Sequence, residues 1–256
     1  MPDMNFDRIA RFYDYEHERF VNDIPFYLEY ARECRGETLE LACGTGRVLF
    51  PIAREGVKIT GLDISQGMLG IARKKLAALE EKFKSNVELI RGDMVDFDLK
   101  KKFALIYIPF RSFQGLLTKA DQGKCLERVR NHLGDDGVFI LDLFAPLHKY
   151  LAQEHRREYM GIFMDKENGI PVTHWAETSW NLADQTLQSD WYYEWTDKDG
   201  RFQRQVWRLE VSYLFRYEAE LLLEKYGFKV MDVFGGFNKE PYNYYSGEQI
   251  FVCRRA

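Results

Sequence analysis

The sequence predicts an α/β fold built on a doubly wound, mostly parallel, seven-stranded sheet, with a helical cap before the first strand and an antiparallel β insertion after the fifth. Residues 37–143 alternate short β-like runs with helical patterns, as repeated units of strand, helix and strand do. Residues 5–34 have a helical pattern that is rich in aromatic side chains. Residues 173–215 change to a period of two, which indicates strands with one buried face.

Strands and helices of the main sheet can be placed in order. Five strand-like runs precede the insertion, at residues 38–42, 58–62, 87–91, 103–108 and 138–143. Apolar residues at helical spacing lie between them, in two sets: Leu69, Ala72, Leu76 and Leu79, and Leu126, Val129 and Leu133. Each set forms a stripe that can cover one face of a sheet. We therefore expect a parallel sheet with helices packed against it.

The insertion is predicted as a meander of three runs between residues 173 and 215, separated by turn signals at 181–184 and 197–200. All five tryptophans of the chain lie within this part, which indicates a separate structural unit. A helix at 217–226, closed by Gly227, and strands near 229–234 and 249–254 then return the chain to the main sheet.

These patterns divide the chain into three parts. Residues 1–35 are predicted to form the helical cap, residues 36–150 together with 216–256 the main domain, and residues 151–215 the insertion. Three roles are open for the aromatic insertion: a lid over the substrate, a subunit interface that would give a homodimer, and packing against the main domain alone.

Composition restricts the possible functions. The chain has 256 residues, of which 46% are hydrophobic and 30% charged, as in globular domains. The net charge of −4 provides no positive field to attract nucleic acid, and we expect no such partner. No apolar run approaches membrane-spanning length and residues 1–10 do not resemble a signal peptide, so we expect a cytoplasmic protein without a membrane partner. The four cysteines are far apart, which disfavours a metal site or a disulfide framework.

The most informative segment is the run 40–47, which lies at a strand-to-helix junction and contains small residues at positions 42, 44 and 46. Small residues let the backbone turn tightly and approach a ligand. Asp63 follows seventeen residues after Gly46, at the end of the second strand, where a carboxylate can accept both hydroxyls of a ribose. Asp93 and Met94 follow the third strand, where an adenine ring could be held. Three strand ends therefore converge on one nucleoside.

Two classes of cofactor contain such a nucleoside. Dinucleotide sites use the pattern G-x-G-x-x-G, whereas the third position here is Leu49. Glu40, at the start of the loop, would repel a phosphate but could bind a cationic amine. The loop therefore favours S-adenosylmethionine, which carries an ammonium group and a sulfonium, over a nicotinamide dinucleotide.

On these motifs, residues 37–143 resemble the class I S-adenosylmethionine-dependent methyltransferases, which have a Rossmann-like fold. The matching segments are Glu-Leu-Ala-Cys-Gly-Thr-Gly at 40–46, Gly-Leu-Asp-Ile-Ser at 61–65 and Gly-Asp-Met at 92–94. The resemblance implies a cofactor site formed by Glu40, Ala42, Cys43, Gly44 and Gly46 at the methionine end, Asp63 at the ribose, Ile64, Met68, Asp93 and Met94 around the adenine, and Pro109 and Phe110 on the far side. Ala42 replaces the more common glycine but is still small.

The wider arrangement is similar to that of small-molecule members of this class, notably sugar N-methyltransferases and the glycine/sarcosine type. These share a cap with a Tyr-Asp pair, here Tyr13-Asp14, and an antiparallel insertion after the fifth strand. Near relatives often carry a histidine after a Phe-Gln pair, but here Phe113-Gln114 is followed by Gly115. The resemblance therefore provides no general base at that position.

Methyl transfer is an in-line displacement on an activated donor, so the enzyme mainly supplies alignment and a dry cavity. An amine acceptor must also lose a proton, and Tyr13, Glu16 and His17 are candidates to take it. Tyr13 could equally be a packing residue, and His17 is interpreted as a surface histidine. Arg111 is proposed as an orienting cation, with a structural ion pair as the alternative. His148, His155 and His174 are too scattered to be named as ligands.

The function predicted from the sequence is methyl transfer from S-adenosylmethionine to a small-molecule acceptor, with an amine nitrogen as the favoured site and Tyr13 and Arg111 as the catalytic candidates. Two alternatives are open: a non-catalytic or regulatory protein that binds S-adenosylmethionine, and an RNA or protein methyltransferase. The acidic charge balance disfavours the RNA alternative.

Overall fold

A computed structural model of the protein describes residues 6–256. The helices are α1 (Ala10–His17), α2 (Ile24–Cys34), α3 (Leu49–Arg54), α4 (Gln66–Ala77), α5 (Glu81–Lys84), α6 (Lys119–His132), α7 (His148–Leu151) and α8 (Arg216–Lys225). The strands are β1 (Thr38–Leu41), β2 (Ile59–Asp63), β3 (Val87–Arg91), β4 (Phe103–Ile108), β5 (Leu133–Phe144), β6 (His155–Asp165), β7 (Ile170–Asn181), β8 (Thr186–Thr196), β9 (Phe202–Ser212), β10 (Phe228–Phe234) and β11 (Glu248–Arg255). Short 3₁₀ turns occur at Phe6–Arg8 and Ser112–Gly115.

The main sheet has seven strands in the order β10-β11-β5-β4-β1-β2-β3. Strands β1 to β5 pair in parallel, and β11 is antiparallel to both of its neighbours. The strand order reverses between β1 and β4, and ligands of open α/β sheets bind in the crevice at the carboxyl ends of the strands at such a point. This architecture confirms the predicted fold class and places the crevice beside Glu40, which lies opposite Gly61 on β2 and Tyr107 on β4.

Helices cover both faces of the main sheet. One core layer contains buried residues of α6 and α8, such as Leu126 and Leu223, packed against the sheet. The other contains buried residues of α2, α3 and α4, such as Tyr27, Leu49 and Leu69. These two layers use the apolar stripes that the sequence pattern contains, because each helix buries one side against the strands.

The fifth strand starts earlier than expected. It begins at Leu133, which pairs with Phe103, and an irregularity at 134–137 separates this pair from the regular pairing of Val138 with Leu105. The start of β5 is not visible in the hydrophobic pattern because the acidic residues Asp135 and Asp136 interrupt the apolar run.

The insertion is a separate antiparallel sheet of four strands in the order β6-β7-β8-β9. The three runs predicted between residues 173 and 215 are confirmed as β7, β8 and β9, and a fourth strand that was not predicted, β6, precedes them at the edge of the sheet. Its pattern is obscured because the register shifts between Tyr159 and Gly161, and because apolar residues such as Met160 and Ile162 are exposed. The inner face of the insertion packs on Ile9 and Phe12 around α1.

Within residues 6–256, no helix has both the length and the apolar character needed to pass through a bilayer.

Candidate functional site

The glycine-rich loop leaves the carboxyl end of β1 with three residues in the left-handed region. The φ angles are 57° at Ala42, 54° at Gly44 and 81° at Gly46. A Cβ atom at Gly46 would lie 2.4 Å from the ring of Phe50, so glycine is required there by both conformation and space. Ala42 adopts a conformation that costs an L-residue about 1–2 kcal/mol. The chain therefore accepts strain to form a tight loop at the crevice.

Asp63 connects this loop to the end of β2. One carboxylate oxygen accepts a hydrogen bond from the Gly44 N–H at 2.7 Å, and the other accepts from the Ser65 N–H at 2.8 Å. Burial raises the pKa of Asp63, and the backbone donors at Ser65 and Gly44 act in the opposite direction. Each oxygen has a further lone pair, so the carboxylate can still accept hydrogen bonds from a diol.

Glu40 is a buried carboxylate beside the loop. Its side chain is 2% exposed, and Oε2 accepts a hydrogen bond from the Tyr107 hydroxyl at 2.7 Å. Among residues 6–256, this hydroxyl is the sole hydrogen-bond donor to the carboxylate of Glu40. Burial raises the pKa of Glu40 to about 8, while the Tyr107 hydrogen bond and Arg47 lower it. A buried carboxylate with so little compensation fits a cationic ligand group, such as an ammonium.

The residues predicted around an adenine ring lie at the ends of β2 and β3. Ile64 is 55% exposed immediately after β2, whereas Met68 is buried in α4. The Asp93 carboxylate accepts a hydrogen bond from the Val95 N–H at 3.0 Å, and Met94 packs against the sheet core. The structure thus brings these residues to the same edge of the sheet as Asp63.

The Tyr-Asp pair of α1 lies against the glycine loop. The Asp14 carboxylate accepts a hydrogen bond from the Thr45 hydroxyl at 2.6 Å and pairs with Lys75 of α4 at 2.8 Å. An open cleft next to this contact is lined by residues that include Gly46 and Arg47. The cap is therefore attached to the loop through side chains, close to the crevice.

Tyr13 and His17 stack on each other one turn apart on α1, with their ring centres 4.4 Å apart. Burial raises the pKa of Tyr13, with smaller effects from Arg47, which lowers it, and from Asp63, which raises it. The His17 ring also meets the Phe110 ring edge-on at 5.1 Å, and burial lowers the pKa of this histidine. The interpretation of His17 as a surface histidine was wrong, because α1 turns this side chain towards the loop after β4.

That loop contains Pro109, Phe110 and Arg111. Phe110 and Arg111 are consecutive left-handed residues, with φ angles of 53° and 63°. Consecutive non-glycine residues in this region are a form of backbone strain that concentrates at ligand sites. Arg111 forms an ion pair with Glu248 of β11, with Nε to Oε2 at 3.1 Å, so its guanidinium is held at the rim of the crevice.

Three features of the site were not predicted from the sequence. Arg47 makes a two-pronged ion pair with the buried Asp23, with both contacts at 2.6 Å. Asp142 is buried at the end of β5, where its position as the one acid in the apolar run 138–144 is a detectable signal. His174 is 2% exposed and pairs with Glu16 of α1, a contact between distant segments that no local pattern reveals.

The crevice is acidic. Asp23, Glu40, Asp63 and Asp142 are all buried within it. The cations beside them, Arg47 and Arg111, already have carboxylate partners. Such an interior favours ligands that carry positive charge.

Comparisons with known proteins show which chains this one resembles. Residues 38–137 match a family model described as a methyltransferase domain. A protein of Geobacillus sp. (strain WCH70), provisionally assigned as a methyltransferase, is 24% identical over 98% of this chain and 100% of its own length. The dTDP-3-amino-3,6-dideoxy-alpha-D-glucopyranose N,N-dimethyltransferase of Streptomyces fradiae is 30% identical over 52% of each chain. The crystal structure of an S-adenosylmethionine-dependent methyltransferase from Clostridium acetobutylicum superimposes with a TM-score of 0.79 at 20% identity, covering 98% of this chain and 99% of that one.

Proposed function

We propose that this chain is a class I S-adenosylmethionine-dependent methyltransferase and that it methylates the amine nitrogen of a small-molecule acceptor, a proposal supported by its similarity to a methyltransferase domain over residues 38–137 and to an amino-sugar N,N-dimethyltransferase. The cofactor supplies the reaction with an electrophilic methyl group on a sulfonium. The observation that carries the proposal is Glu40, a buried and poorly compensated carboxylate beside the left-handed loop and Asp63. This arrangement fits the ammonium and the ribose of one ligand.

We assign the cofactor contacts as the motifs suggest. Glu40 would take the ammonium, and the loop backbone at Ala42, Cys43, Gly44 and Gly46 would surround the methionine end. Asp63 would hold the ribose hydroxyls. The adenine would lie among Ile64, Met68, Asp93 and Met94, with Pro109 and Phe110 closing the far side.

An amine acceptor is supported by charge. The crevice contains more buried carboxylates than free cations, and such an interior stabilises an ammonium rather than a phosphate. The Streptomyces fradiae relative acts on an amino group of a sugar nucleotide, as its name states. Tyr13 would face the reacting nitrogen, and Arg111 would stay in its ion pair and help to shape the rim.

We also propose a division of the chain into three parts. We assign residues 1–35 to a cap, 36–150 and 216–256 to the cofactor domain, and 151–215 to a lid that also serves a homodimer interface. Exposed apolar residues on the insertion, such as Ile162 and Phe202, support the interface. The absence of a nucleic-acid partner accords with the net charge of −4, and a cytoplasmic location is part of the same proposal.

The test is calorimetric titration with S-adenosylhomocysteine, with NADH as the comparison. We expect S-adenosylhomocysteine to bind at micromolar concentration, about −8 kcal/mol, and NADH not to bind. The protein is then incubated with S-adenosylmethionine and a panel of amino sugars and simple primary amines, and products are identified by mass spectrometry. Binding of S-adenosylhomocysteine without methylation of any amine, but with methylation of RNA or peptide controls, would reject the amine acceptor.

A further inference from the structure

Asp142 is a buried acid at the carboxyl end of β5, with no role in the cofactor contacts assigned above. Its side chain is 1% exposed, and the flanking residues Leu141 and Leu143 are fully buried apolar side chains of the sheet. β5 pairs with β4 on one side and β11 on the other, so Asp142 lies next to the loop that follows β4. This position is within the crevice at the carboxyl ends of the strands.

The hydrogen bonds of Asp142 are incomplete. Oδ2 accepts from the Phe110 N–H at 2.9 Å, and the Tyr27 hydroxyl lies at 3.5 Å from the same oxygen, at the limit of a hydrogen bond. Oδ1 is buried and has no partner among the described residues. Since buried polar atoms are nearly always paired, an unpaired carboxylate oxygen in a crevice indicates a ligand group.

The neighbouring charges do not neutralise Asp142. Arg111 is engaged by Glu248, and Asp23, at the start of α2, is engaged by Arg47. The pKa of Asp142 is raised to about 7, chiefly by burial and also by Glu248 and Asp23, while Arg111 acts in the opposite direction. The electrostatic surroundings of Asp142 would therefore be stabilised by one additional positive charge.

Asp142 also fixes the strained loop. Its bond to the Phe110 N–H holds the first of the two consecutive left-handed residues, and Arg111 is the second. On the other side, Tyr27 stacks on Tyr107 with ring centres 4.6 Å apart, and Tyr107 donates to Glu40. Two incompletely compensated carboxylates, Glu40 and Asp142, thus lie at the two ends of one tyrosine pair.

We propose that Asp142 binds the ammonium group of the acceptor and takes its proton, while Glu40 binds the ammonium of the cofactor. This inference rests on the proposed function, since it assigns the acceptor part of the same site. A proton passes from the acceptor R–NH₃⁺ to the Asp142 carboxylate and leaves a neutral amine. The nitrogen lone pair then forms the new C–N bond as the methyl–sulfur bond breaks, with its electron pair remaining on sulfur.

The proposal specifies the acceptor as a cation when it binds. Water is excluded from Oδ1, so a charge-assisted hydrogen bond there is stronger than one at an exposed site. A neutral acceptor such as an alcohol carries no positive charge to balance the negative charge of the Asp142 carboxylate, so we expect it to bind less well.

Sinefungin provides a direct probe, because this analogue of S-adenosylmethionine carries an amino group where the cofactor carries its transferable methyl group. We compare the affinities of sinefungin and S-adenosylhomocysteine by calorimetry for the natural protein and for Asp142→Asn, which keeps an acceptor for the Phe110 N–H. The variant should weaken sinefungin binding about 10- to 100-fold and change S-adenosylhomocysteine binding about threefold or less. Asp165→Asn, at the buried acid that ends β6 and accepts hydrogen bonds from the following turn, is the matched control and should change neither affinity.

A second measurement needs no variant. In the natural protein, the preference for sinefungin over S-adenosylhomocysteine should increase as the pH rises from about 6 to about 8, because Asp142 ionises in that range. A preference that does not change with pH, or an equal loss of both ligands in Asp142→Asn, would overturn the inference. Failure of S-adenosylhomocysteine to bind the natural protein at all would instead refute the proposed function.

Discussion

The carboxylate of Glu16 contacts the buried imidazole of His174, with Oε1 and Nδ1 2.8 Å apart. Tyr193 adds a hydrogen bond at 2.9 Å to the other oxygen of Glu16. Glu16 belongs to α1, whereas His174 and Tyr193 belong to the insertion. The same short helix carries Tyr13 towards the crevice, so this pair sets the position of a catalytic candidate from outside the main domain.

Removing the imidazole should destabilise the protein. We expect His174→Phe to lower the free energy of unfolding by about 3 kcal/mol, because it leaves a buried carboxylate with one partner fewer. Denaturant unfolding followed by circular dichroism measures this change. Arg208→Ala, which breaks an exposed pair with Asp190, is the control and should have little effect. Equal stability of the two variants would contradict the importance of the buried pair.

Glu40→Gln should have opposite effects on the stability of the protein at high pH and on its affinity for the ligand. The folded-state pKa of Glu40 is raised to about 8 by burial, so its contribution to stability is present below the unfolded pKa and is lost as the pH rises through about 8. Above pH 8, the ligand-free variant should therefore be more stable than the natural protein in thermal unfolding. Its affinity for S-adenosylhomocysteine should fall by about 30-fold or more, because the ammonium loses its partner.

The same pKa predicts proton release on binding. At pH 7, a pKa of about 8 leaves Glu40 mostly protonated in the free protein, and an ammonium ligand favours the ionised form. Calorimetry of S-adenosylhomocysteine binding in two buffers of different ionisation enthalpy should show release of close to one proton at pH 7 and less at pH 9. Binding heats that are independent of the buffer would contradict the assignment of Glu40 to the ammonium.

Asp63→Asn tests the ribose contact. The amide keeps an oxygen for only one of the two backbone donors, Gly44 or Ser65, and it removes the charge that strengthens hydrogen bonds from the diol. We expect S-adenosylhomocysteine to bind about 10- to 100-fold more weakly. A 2′-deoxyribose analogue of the ligand should lose less affinity in the variant than in the natural protein. If both proteins lose the same amount, Asp63 does not contact the 2′-hydroxyl.

The glycine loop predicts opposite results at two positions. Gly46→Ala should lower both stability and cofactor affinity, since the new methyl group would meet the Phe50 ring at 2.4 Å and the φ angle is 81°. Ala42→Gly should be tolerated and should change the free energy of unfolding by about 1 kcal/mol or less, because relief of left-handed strain is offset by the greater freedom of glycine in the unfolded chain. Thermal unfolding with and without S-adenosylhomocysteine distinguishes the two.

Local sequence determined much of this structure, and the exceptions have a physical reason. The runs 87–91 and 103–108 are strands with those bounds, and the ends of β1 and β2 bring Gly44 and Asp63 together. These features depend on short apolar runs and on turn chemistry that the sequence displays directly. His17 and His174 were misjudged or passed over because their burial depends on which distant surface α1 meets. Asp142 was missed because its significance lies in an unpaired oxygen, which only the packed structure reveals.

The concentration of tryptophan in the insertion has an experimental consequence. All five indoles lie between residues 175 and 207, and Trp207 contacts Phe6 of the cap with ring centres 4.7 Å apart. Fluorescence excited at the indole band therefore comes from the insertion and its contact with the cap, while the cofactor domain contributes no tryptophan signal. The protein therefore carries a natural fluorescent reporter in the insertion, and a change in emission when a ligand binds to the glycine loop would show that binding at the main sheet alters the insertion.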